Sequence, residues 1–554
     1  LMKVAKINEE ISVSDQITVS DITEIAKQGF KTIFCHRPDG EGPDQPNFEE
    51  IDSAAKKLGI EVKYLPVTMG KISDDDIEQF SNSFAEAAKP LFSYCRSGMR
   101  AITLWSLQEA DKTSLPELLN IGKKAGFDMS GLSLRLASGK QSASNTREHQ
   151  IVIVGGGSAG ISVASSLLAR DSGLDIAIID PAETHYYQPG WTMVGGGIFT
   201  AEQTVRTMAS VMPKGVTWIK AAVAAFEPEQ NMVTLEGCRL VKYEKLIVCP
   251  GIKLNWHGIE GLVETLGQNG VTSNYRYDLA PYTWELVNSM RTGKAIFTQP
   301  PMPIKCAGAP QKAMYLSGDH WFRSGDLNNI NIEFYSSTPG LFGVKEYVPP
   351  LMKYVEKYGA DLNFNHTLTK IDGKQKLAWF SKKLEDGSVE VIETNFDMIH
   401  VVPPQQAPDF IRASGIVDDG GWVEVNPDTL QHKRYPDIYG LGDVINAPNA
   451  KTAAAARKQA PVVAVNILYD LNKSSKRAIY NGYGSCPLTV ERGKVILAEF
   501  GYGGKLLPSF PKWFLNGQEP TKLAWILKEK ILPPMYWKAM LKGREWLASP
   551  EDKD

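Results

Sequence analysis

The stretch Ile151-Val-Ile-Val-Gly-Gly-Gly-Ser-Ala-Gly160 decides the fold of the middle of this chain. Its four branched apolar residues predict a buried parallel strand, and the residues after Gly160 continue with helical spacing. Gly155, Gly157 and Gly160 fit the pattern G-x-G-x-x-G: they make a tight turn, let backbone amides approach a pyrophosphate and let the helix pack on the strand. The helix N-terminus adds unpaired amides for the phosphates. A second apolar run ends at Asp180, where an acid is expected to bind a ribose hydroxyl, so the sequence predicts a dinucleotide-binding unit.

Length and composition are those of a globular protein with several domains. The chain has 554 residues, 43% hydrophobic and 22% charged, which is too long for one core. Its net charge of −3 does not suggest binding to nucleic acid. Six cysteines are too few for a disulfide framework, so those that matter are expected to be redox-active or nucleophilic. Because we find neither an apolar signal core nor a run of about 18 apolar residues, we expect a cytoplasmic protein that is at most peripheral on a membrane.

Residues 1–130 alternate short strands and helices and predict a first α/β domain. Its third strand runs into Cys95-Arg-Ser-Gly-Met-Arg100 and then an apolar helix. A cysteine at a strand end, followed by a short loop and a helix N-terminus, predicts an anion-binding loop. The loop amides and Arg100 would hold an oxyanion and lower the pKa of Cys95 toward the nucleophilic thiolate.

This loop resembles that of a tyrosine-phosphatase-like domain found alone or fused to enzymes of sulfur metabolism. Phosphatases of this type carry five residues between the cysteine and the arginine, whereas this loop carries four and looks like the rhodanese loop, which passes a sulfane sulfur. Cys95 is therefore a sulfur carrier, a phosphatase nucleophile or a vestigial residue. The acids at 74–76 are as compatible with a helix start as with a general acid, and Cys35, at another strand end, is interpreted as a structural thiol.

Residues 131–150 are Ser-rich and polar in their second half and predict an exposed linker. The region 151–505 then predicts two nucleotide-binding halves, because Ile438-Tyr-Gly-Leu-Gly-Asp443 is a strand ending in an acid, and a helix follows Lys451. This arrangement matches the glutathione-reductase-like, two-dinucleotide-domain α/β architecture of flavoproteins. The run 330–340 is strand-like but lacks the glycine fingerprint, so a tight NAD(P)H site is not predicted.

Two cysteines in this region lie in sequences that suggest redox chemistry. Cys306 stands at a predicted strand-to-helix turn, where the helix N-terminus and Lys305 would favour its thiolate. Cys486 begins another strand, 180 positions away. That separation does not reveal whether the two sulfurs meet.

Residues 151 to about 545 resemble the sulfide:quinone oxidoreductases of the type that includes the mitochondrial enzyme. The matching segments occur in order and are Val154-Gly-Gly-Gly-Ser158, Tyr187-Gln-Pro-Gly-Trp-Thr, Lys305-Cys-Ala-Gly-Ala-Pro-Gln-Lys-Ala-Met-Tyr-Leu, Gly442-Asp, Lys451-Thr-Ala-Ala-Ala and Ser485-Cys-Pro-Leu. The resemblance implies that Cys306 and Cys486 form the redox pair, on the flavin face away from the quinone. It also implies that FAD contacts Ser158, Ala159, Asp180, Gln188, Val223, Asp443 and Lys451. Cys249 is interpreted as a core residue and Cys238 as a residue of a polar turn; no metal site is predicted.

The chemistry implied by this resemblance begins with attack of sulfide on the cysteine disulfide or a sulfur-bridged form of it. Cys486 would be left as a persulfide, and Cys306 would become a thiolate against the flavin. Glutathione, coenzyme A or a second sulfide would remove the sulfane sulfur, and reduced FAD would pass its electrons to quinone. One alternative is a persulfide or disulfide reductase that uses NAD(P)H, with an N-terminal phosphatase or anion-binding module.

The C-terminal stretch, residues 506–554, is predicted to be an amphipathic segment broken by Pro533-Pro534. It mixes lysines with Trp513, Trp525, Trp537 and Trp546, a composition that suits a helix lying in the headgroup region of a membrane. The alternatives are a helix that caps the core and an interface in a homo-oligomer. Lys528 matches a family position near the expected quinone end.

Overall fold

The computed structural model describes residues 2–42, 45–68, 70–132, 135–136, 146–236 and 240–553. The chain divides into two compact units. The first comprises Leu1–His149, Ala221–Tyr243 and Ala413–Ile416, and the second comprises Gln150–Lys220, Glu244–Arg412 and Val417–Asp554. Cys238 and the middle of the predicted linker, residues 137–145, lie outside the described residues.

The first unit is built around a five-stranded sheet with helices packed on it. The strand order is Val4–Lys6, Ile11–Ser14, Leu91–Tyr94, Thr32–Cys35 and Glu61–Tyr64; the first pair is antiparallel and the others are parallel. Its helices are Ile22–Lys27, Phe48–Lys56, Asp74–Glu86, Met99–Glu109 and Leu115–Lys124. The central strands are buried along their whole length. The unit also contains the antiparallel strands Val223–Glu227 and Met232–Leu235.

The acids at 74–76 form the start of a helix. Ser73 caps Asp74–Glu86: its hydroxyl accepts a hydrogen bond from the amide of Asp76, and the Asp76 carboxylate accepts one from the amide of Ser73. This reciprocal pair satisfies two amides that the first helical turn leaves unpaired. The helix-start interpretation of these residues is therefore the one that the structure shows.

The second unit contains the predicted parallel sheet. Its strands lie in the order Val216–Ile219, Ile176–Ile179, Thr146–Val154, Leu240–Val248 and Ile438–Gly440. Helix Ser158–Arg170 follows the central strand and packs on helix Ala453–Asp470, which follows the last one. The expectation that residues 131–150 form an exposed linker is wrong for residues 146–150, because these begin the central strand.

A second parallel sheet, with its own helices, is formed by residues that lie in sequence between strands Leu240–Val248 and Ile438–Gly440. Five parallel strands occur in the order Val271–Thr272, Met398–His400, Gly293–Gln299, Ile330–Ser336 and Asp361–Phe364. They are accompanied by helices Ala280–Ser289, Ala309–Ser324 and Val348–Lys357. Antiparallel strands complete the unit: His366–Asp372, Leu377–Lys383 and Val389–Asn395 in one sheet, and Gly484–Glu491 with Lys494–Phe500 in another. The predicted α/β class with two nucleotide-binding halves is confirmed.

The prediction that Pro533 and Pro534 break the C-terminal helix is wrong. Helix Lys522–Ile526 passes through a π-helical stretch, Leu527–Ile531, into helix Leu532–Lys538 without interruption. The prolines occupy the first turn of the last helix, where a missing backbone amide costs least. A 3₁₀ turn follows at Met540–Lys542. Among the residues that the structure describes, none of the helices has the length and apolar character needed to span a bilayer.

Candidate functional site

The glycines of the first turn are required by close backbone contacts. Gly155 has φ +109°, and a Cβ there would lie 2.5 Å from the carbonyl oxygen of Cys249. A Cβ on Gly160 would lie 1.8 Å from the carbonyl oxygen of Gly155, so helix Ser158–Arg170 could not pack on the strand with any larger residue. A Cβ on Gly157 would meet no atom within 4 Å, so the turn itself faces open space.

Asp180 follows strand Ile176–Ile179 and binds back to the glycine turn. Its Oδ2 accepts a hydrogen bond of 2.6 Å from the amide of Gly156, and its Oδ1 accepts one of 2.7 Å from the amide of Ala182. The carboxylate is thus fixed beside the turn by two backbone donors. This is the position from which an acid reaches the ribose of a dinucleotide.

The second nucleotide-binding half meets the first at a glycine. Gly442 has φ +79°, and a Cβ there would lie 3.2 Å from the Cβ of Ala159. The ammonium of Lys451 donates to the carbonyl oxygens of Asp443 and Ile445, each at 2.7 Å. Burial lowers the pKa of Lys451 to about 8, and burial raises the pKa of Asp443 although Lys451 acts against it. Asp443, which is half-buried, and Lys451, which is buried, therefore place polar groups where the two nucleotide-binding halves meet.

A cavity of about 650 Å³ joins the two halves, a volume in the usual range for cofactor sites. It is lined by eight of the predicted cofactor residues, namely Gly155, Gly157, Ser158, Ala159, Asp180, Gln188, Asp443 and Lys451. Gly160 is not among the lining residues because it packs against the strand, and Val223 lies in a strand of the first unit, paired with Leu235. The open glycine turn, the helix N-terminus and the fixed Asp180 fit a dinucleotide.

The structure brings Cys306 and Cys486 together. The two side chains share a hydrogen bond, and that bond is the largest cause that lowers the pKa of Cys306 well below its usual value. Burial opposes this shift, while the ammonium groups of Lys312 and Lys528 reinforce it. The same bond, together with burial, raises the pKa of Cys486 well above its usual value. These directions favour the thiolate form at Cys306, with the Cys486 thiol as the hydrogen-bond donor.

The backbone of Cys306 adopts a left-handed conformation that only a few non-glycine residues adopt. Its φ is +51°, and three hydrogen bonds hold it there. Its amide donates to the carbonyl of Lys451 at 2.8 Å, and its carbonyl accepts from the Ala309 amide at 2.8 Å and the Tyr275 hydroxyl at 3.0 Å. The reactive cysteine is thus tied directly to the second nucleotide-binding half.

The sequence suggested Lys305 as the cation beside the Cys306 sulfur, but the cation found there is Lys312. Lys312, in the first turns of helix Ala309–Ser324, places its ammonium 3.4 Å from the sulfur. The charge of the two cysteines raises the pKa of Lys312 despite its burial. The ammonium of Lys305 instead donates to Gln188 at 2.6 Å. Sequence analysis missed Lys312 because it credited the cation next to Cys306 in the sequence, whereas Lys312 reaches the sulfur from the helix that follows.

Lys528 lies in the wall of the same cavity, within the π-helical stretch. Its ammonium is buried and donates to the carbonyl of Pro189 at 3.0 Å. Burial, with the charge of Lys312, lowers its pKa to about 7, although Cys306 and Cys486 act in the other direction. Lys528 therefore acts electrostatically on the cysteine pair, and its assignment to the quinone stays a prediction.

In the first unit, Cys95 is followed by a short loop and a helix N-terminus, as predicted. The arginine that follows this loop, Arg100, is paired with a carboxylate of the same unit. The amide of Gly98 donates to the Cys95 sulfur at 3.2 Å. Arg100 donates to both carboxylate oxygens of Glu41 at 2.7 Å, and Arg37 donates to the same carboxylate at 2.7 Å. Arg100 thus pairs with Glu41 in the structure, and its role in holding an external oxyanion stays a prediction. Sequence analysis missed Arg37 and Glu41 because they are remote from Arg100 along the chain.

The remaining described cysteines have the surroundings of structural thiols. Cys35 and Cys249 are both buried, and burial raises the pKa of each thiol. The sulfur of Cys249 contacts the carbonyl oxygen of Gly155, where it packs beneath the glycine turn. Both residues are thus held as poorly reactive thiols.

Two families match parts of the chain. Residues 3–112 match the family described as "Beta-lactamase hydrolase-like protein, phosphatase-like domain". Residues 149–283 match the family described as "Pyridine nucleotide-disulphide oxidoreductase". The N-terminal part is therefore a phosphatase-like domain, joined to a disulfide oxidoreductase fold.

A relative from Dictyostelium discoideum named "Sulfide:quinone oxidoreductase, mitochondrial" is 40% identical over 414 residues, which are 74% of this chain and 90% of the relative. This chain belongs to the sulfide:quinone oxidoreductase family. The sulfide:quinone oxidoreductase of Mus musculus is 36% identical over 395 residues, 71% of this chain and 87% of the relative. As a member of this family the chain is a flavin-dependent oxidoreductase, as the resemblance of its motifs implied.

The solved sulfide:quinone oxidoreductase from Aquifex aeolicus shares the fold. It superposes with a TM-score of 0.61 at 19% identity and covers 72% of this chain and 92% of its own. The "Beta-lactamase hydrolase-like protein" of Agrobacterium fabrum is 38% identical to this chain over 130 residues, 23% of this chain and 30% of that relative. Its name agrees with the description of the family that residues 3–112 match.

Proposed function

We propose that this chain oxidises sulfide to a protein persulfide with bound FAD and passes the electrons to quinone. The observation that carries the proposal is the pairing of Cys306 and Cys486, with Cys306 in the wall of the dinucleotide cavity. The relatives named as sulfide:quinone oxidoreductases support the same substrates. We assign residues 151–505 to this reaction, residues 1–130 to the phosphatase-like domain, residues 131–145 to a linker that ends where the central strand begins, and residues 506–554 to membrane contact.

The two cysteines have unequal roles in this reaction. Hydrosulfide attacks the sulfur of Cys486 in the Cys306–Cys486 disulfide; an S–S bond forms to the incoming sulfur as the original one breaks. Cys486 becomes a persulfide and Cys306 leaves as the thiolate. Cys306 is the better leaving group because its pKa is the lower of the two, and the ammonium of Lys312 stabilises the charge that it gains.

The sulfane sulfur then leaves by a second exchange. A thiolate acceptor, such as glutathione, coenzyme A or a second sulfide, takes the outer sulfur from Cys486 and leaves the Cys486 thiolate. Re-forming the disulfide from the two thiolates releases two electrons. Bound FAD would supply the two-electron acceptor for this pair and the route to quinone. Ser158, Ala159, Asp180, Gln188, Asp443 and Lys451 would hold the cofactor, and Val223 is assigned to it from the family alone.

We propose that a lipid surface delivers the quinone. Large apolar side chains of the C-terminal segment are exposed to solvent, namely Trp513, Phe514, Leu523, Ile526, Ile531, Trp546 and Leu547. Ile531, Trp546 and Leu547 also line the cavity, so one of its walls is continuous with this apolar surface. Exposed tryptophan and aliphatic side chains beside lysines are typical of a peripheral membrane contact.

For the N-terminal domain we propose sulfane sulfur transfer at Cys95. A low-molecular-weight persulfide would give its outer sulfur to the Cys95 thiol, leaving a Cys95 persulfide and the free thiol. The shorter, rhodanese-like loop and the fusion to a sulfide-oxidising unit support this step. The second candidate is a phosphatase reaction, which the description of the matching family favours.

Anaerobic mixing of the purified protein with sulfide tests the main proposal. The absorbance of the oxidised flavin should be lost in the wild type and in Cys35→Ser, whose buried thiol belongs to the first unit. Cys306→Ser should show no such loss. Loss of flavin absorbance with NADH but not with sulfide would instead identify a reductase that uses a pyridine nucleotide.

A further inference from the structure

One tyrosine of the C-terminal segment reaches the glycine turn from far along the chain. The hydroxyl of Tyr536 lies 2.8 Å from the hydroxyl of Ser158, the first residue of the helix that follows the turn. It also lies 2.6 Å from Nε2 of His185, whose Nδ1 is 3.2 Å from the carbonyl oxygen of Gly156. Tyr536 therefore contacts the residues on both sides of Gly157, directly at one and through His185 at the other.

The direction of each hydrogen bond follows from its partners. A carbonyl oxygen only accepts, so Nδ1 of His185 carries a proton and donates it to Gly156. Burial lowers the pKa of His185 to about 4, so the ring is neutral at pH 7 and its Nε2 is an acceptor. Tyr536 must then donate to His185, and the Ser158 hydroxyl donates to Tyr536. Each donor in this chain from Ser158 to Gly156 has an acceptor.

The ring of Tyr536 is held as firmly as its hydroxyl. It is buried, and its centroid lies 4.8 Å from the ring of Tyr187 and 5.0 Å from that of Trp537. A phenylalanine at position 536 could keep these ring contacts. The substitution Tyr536→Phe therefore tests the hydroxyl separately from the ring. The tyrosine also lines the cofactor cavity.

The segment after Tyr536 follows the same helix, Ser158–Arg170, to its end. The Ser165 hydroxyl donates to the carbonyl of Leu541 at 2.7 Å, and Arg170 forms an ion pair of 2.5 Å with Glu545. The backbone approaches so closely that a Cβ on Gly543 would lie 2.5 Å from the carbonyl oxygen of Ser165. These contacts fix Tyr536 relative to the helix, so its hydroxyl cannot drift from the turn.

We propose that Tyr536 is a cofactor-positioning residue that holds the phosphate-binding turn around Gly157 in its binding conformation. The inference rests on the proposed FAD site and adds to it a residue from outside both nucleotide-binding halves. A Cβ on Gly157 would meet no atom within 4 Å, so the turn is open to a ligand on that side, and Tyr536 holds the residues before and after it. A turn fixed before the ligand arrives loses less conformational entropy on binding, and the FAD affinity rises accordingly.

The test is the affinity of Tyr536→Phe for FAD, measured by the fluorescence of flavin released from diluted holoenzyme. We expect roughly tenfold weaker binding, since a buried hydrogen-bond chain is opened at its centre. The matched control is Tyr502→Phe, which loses a hydroxyl bound at 2.6 Å to the carbonyl of Pro427 and should bind FAD as the wild type does. The thermal unfolding midpoint of each apoprotein measures any general loss of stability.

A double-mutant cycle with Ser158→Ala keeps the proposal testable if one variant folds poorly. Because both changes open the same chain, Ser158→Ala combined with Tyr536→Phe should weaken FAD binding by less than the sum of the two single effects. Wild-type affinity in Tyr536→Phe, equal losses in Tyr536→Phe and Tyr502→Phe, or strict additivity in the cycle would each overturn the role of Tyr536. Failure of the wild-type protein to bind FAD would instead overturn the proposed cofactor.

Discussion

The ammonium of Lys312 lies 3.4 Å from the sulfur of Cys306. Lys312 is buried, Cys306 is half-buried in the wall of the cavity, and the Cys486 side chain shares a hydrogen bond with the same sulfur. A buried thiolate needs compensating charge, and Lys312 is the cation in contact with it. This contact accounts for the unequal roles that we assign to the two cysteines.

Replacing Lys312 with methionine should raise the pKa of Cys306, because the thiolate loses its nearest positive charge. We expect the pH at which half of Cys306 reacts with iodoacetamide to rise by about one unit or more, with roughly tenfold slower alkylation near neutral pH. Lys305→Met, which removes the cation bound to Gln188, should have a smaller effect. An unchanged alkylation profile in Lys312→Met would show that Cys486 alone sets the pKa of Cys306.

The burial of Lys528 predicts a pH dependence of stability. Its pKa is about 7 in the folded protein, against 10.5 for an unperturbed lysine. Between these values the unfolded chain binds a proton that the native protein lacks, so the contribution of Lys528 to the free energy of unfolding rises with pH; below about pH 7 the native protein carries the full cost of a buried charge.

Chemical denaturation at about pH 6 and pH 8.5 measures this contribution. Lys528→Met should be more stable than the wild type at the lower pH, and its advantage should shrink by up to about 2 kcal/mol at the higher pH. Lys530→Met removes an exposed lysine two positions away and should show no such change. An advantage of Lys528→Met that does not vary with pH would contradict the depressed pKa.

Glu41 competes with any anion that binds at the Cys95 loop, because its carboxylate bridges Arg37 and Arg100. Glu41→Gln should bind thiosulfate and phosphate about tenfold more tightly, since the incoming anion no longer displaces a charged partner. Isothermal titration calorimetry of each anion measures the change, and Glu9→Gln, at an exposed ion pair, is the control. Equal affinities in Glu41→Gln and the wild type would place the anion elsewhere.

The proposed sulfur transfer predicts a separation of two activities. Cys95→Ser should leave the reduction of the flavin by sulfide intact and should slow the turnover of a small persulfide in the same protein. Mass spectrometry of the wild type after exposure to a persulfide should detect one added sulfur on the peptide that contains Cys95, and Cys35→Ser should retain it. Unchanged sulfur products in Cys95→Ser would remove the transfer step, and hydrolysis of an aryl phosphate would favour the phosphatase alternative.

What the sequence predicts well is local along the chain. The turn from Gly155 to Gly160 and the acid at Asp180 follow from a continuous order of strand, glycines, helix and strand, and the structure has that order. The approach of Cys306 to Cys486 came from a family resemblance and not from spacing, because loop closure over 180 positions has no local signature.

The residues that sequence analysis missed are partners across the fold or around a helix. Glu41 meets Arg100 from 59 positions away, on a loop beside another strand. Sequence analysis chose Lys305, the lysine next to Cys306, over Lys312. Choosing correctly requires knowing how the helix that carries Lys312 is oriented relative to the Cys306 sulfur. The C-terminal prolines were wrongly predicted to break the helix. They follow a π-helical stretch and occupy the first turn of the next helix, and a sequence pattern with a period of 3.6 residues does not reveal a π-helix.

The contact between Ser158 and Tyr536 spans 378 positions, and this has a consequence for synthesis. At roughly 5 to 20 residues per second, a ribosome needs about 20 to 75 seconds to pass from one residue to the other. During that interval the nascent glycine turn lacks the tyrosine that completes it. Flavin is therefore expected to bind more weakly before residue 536 is translated, and a chain arrested before that point should retain less flavin than the complete chain.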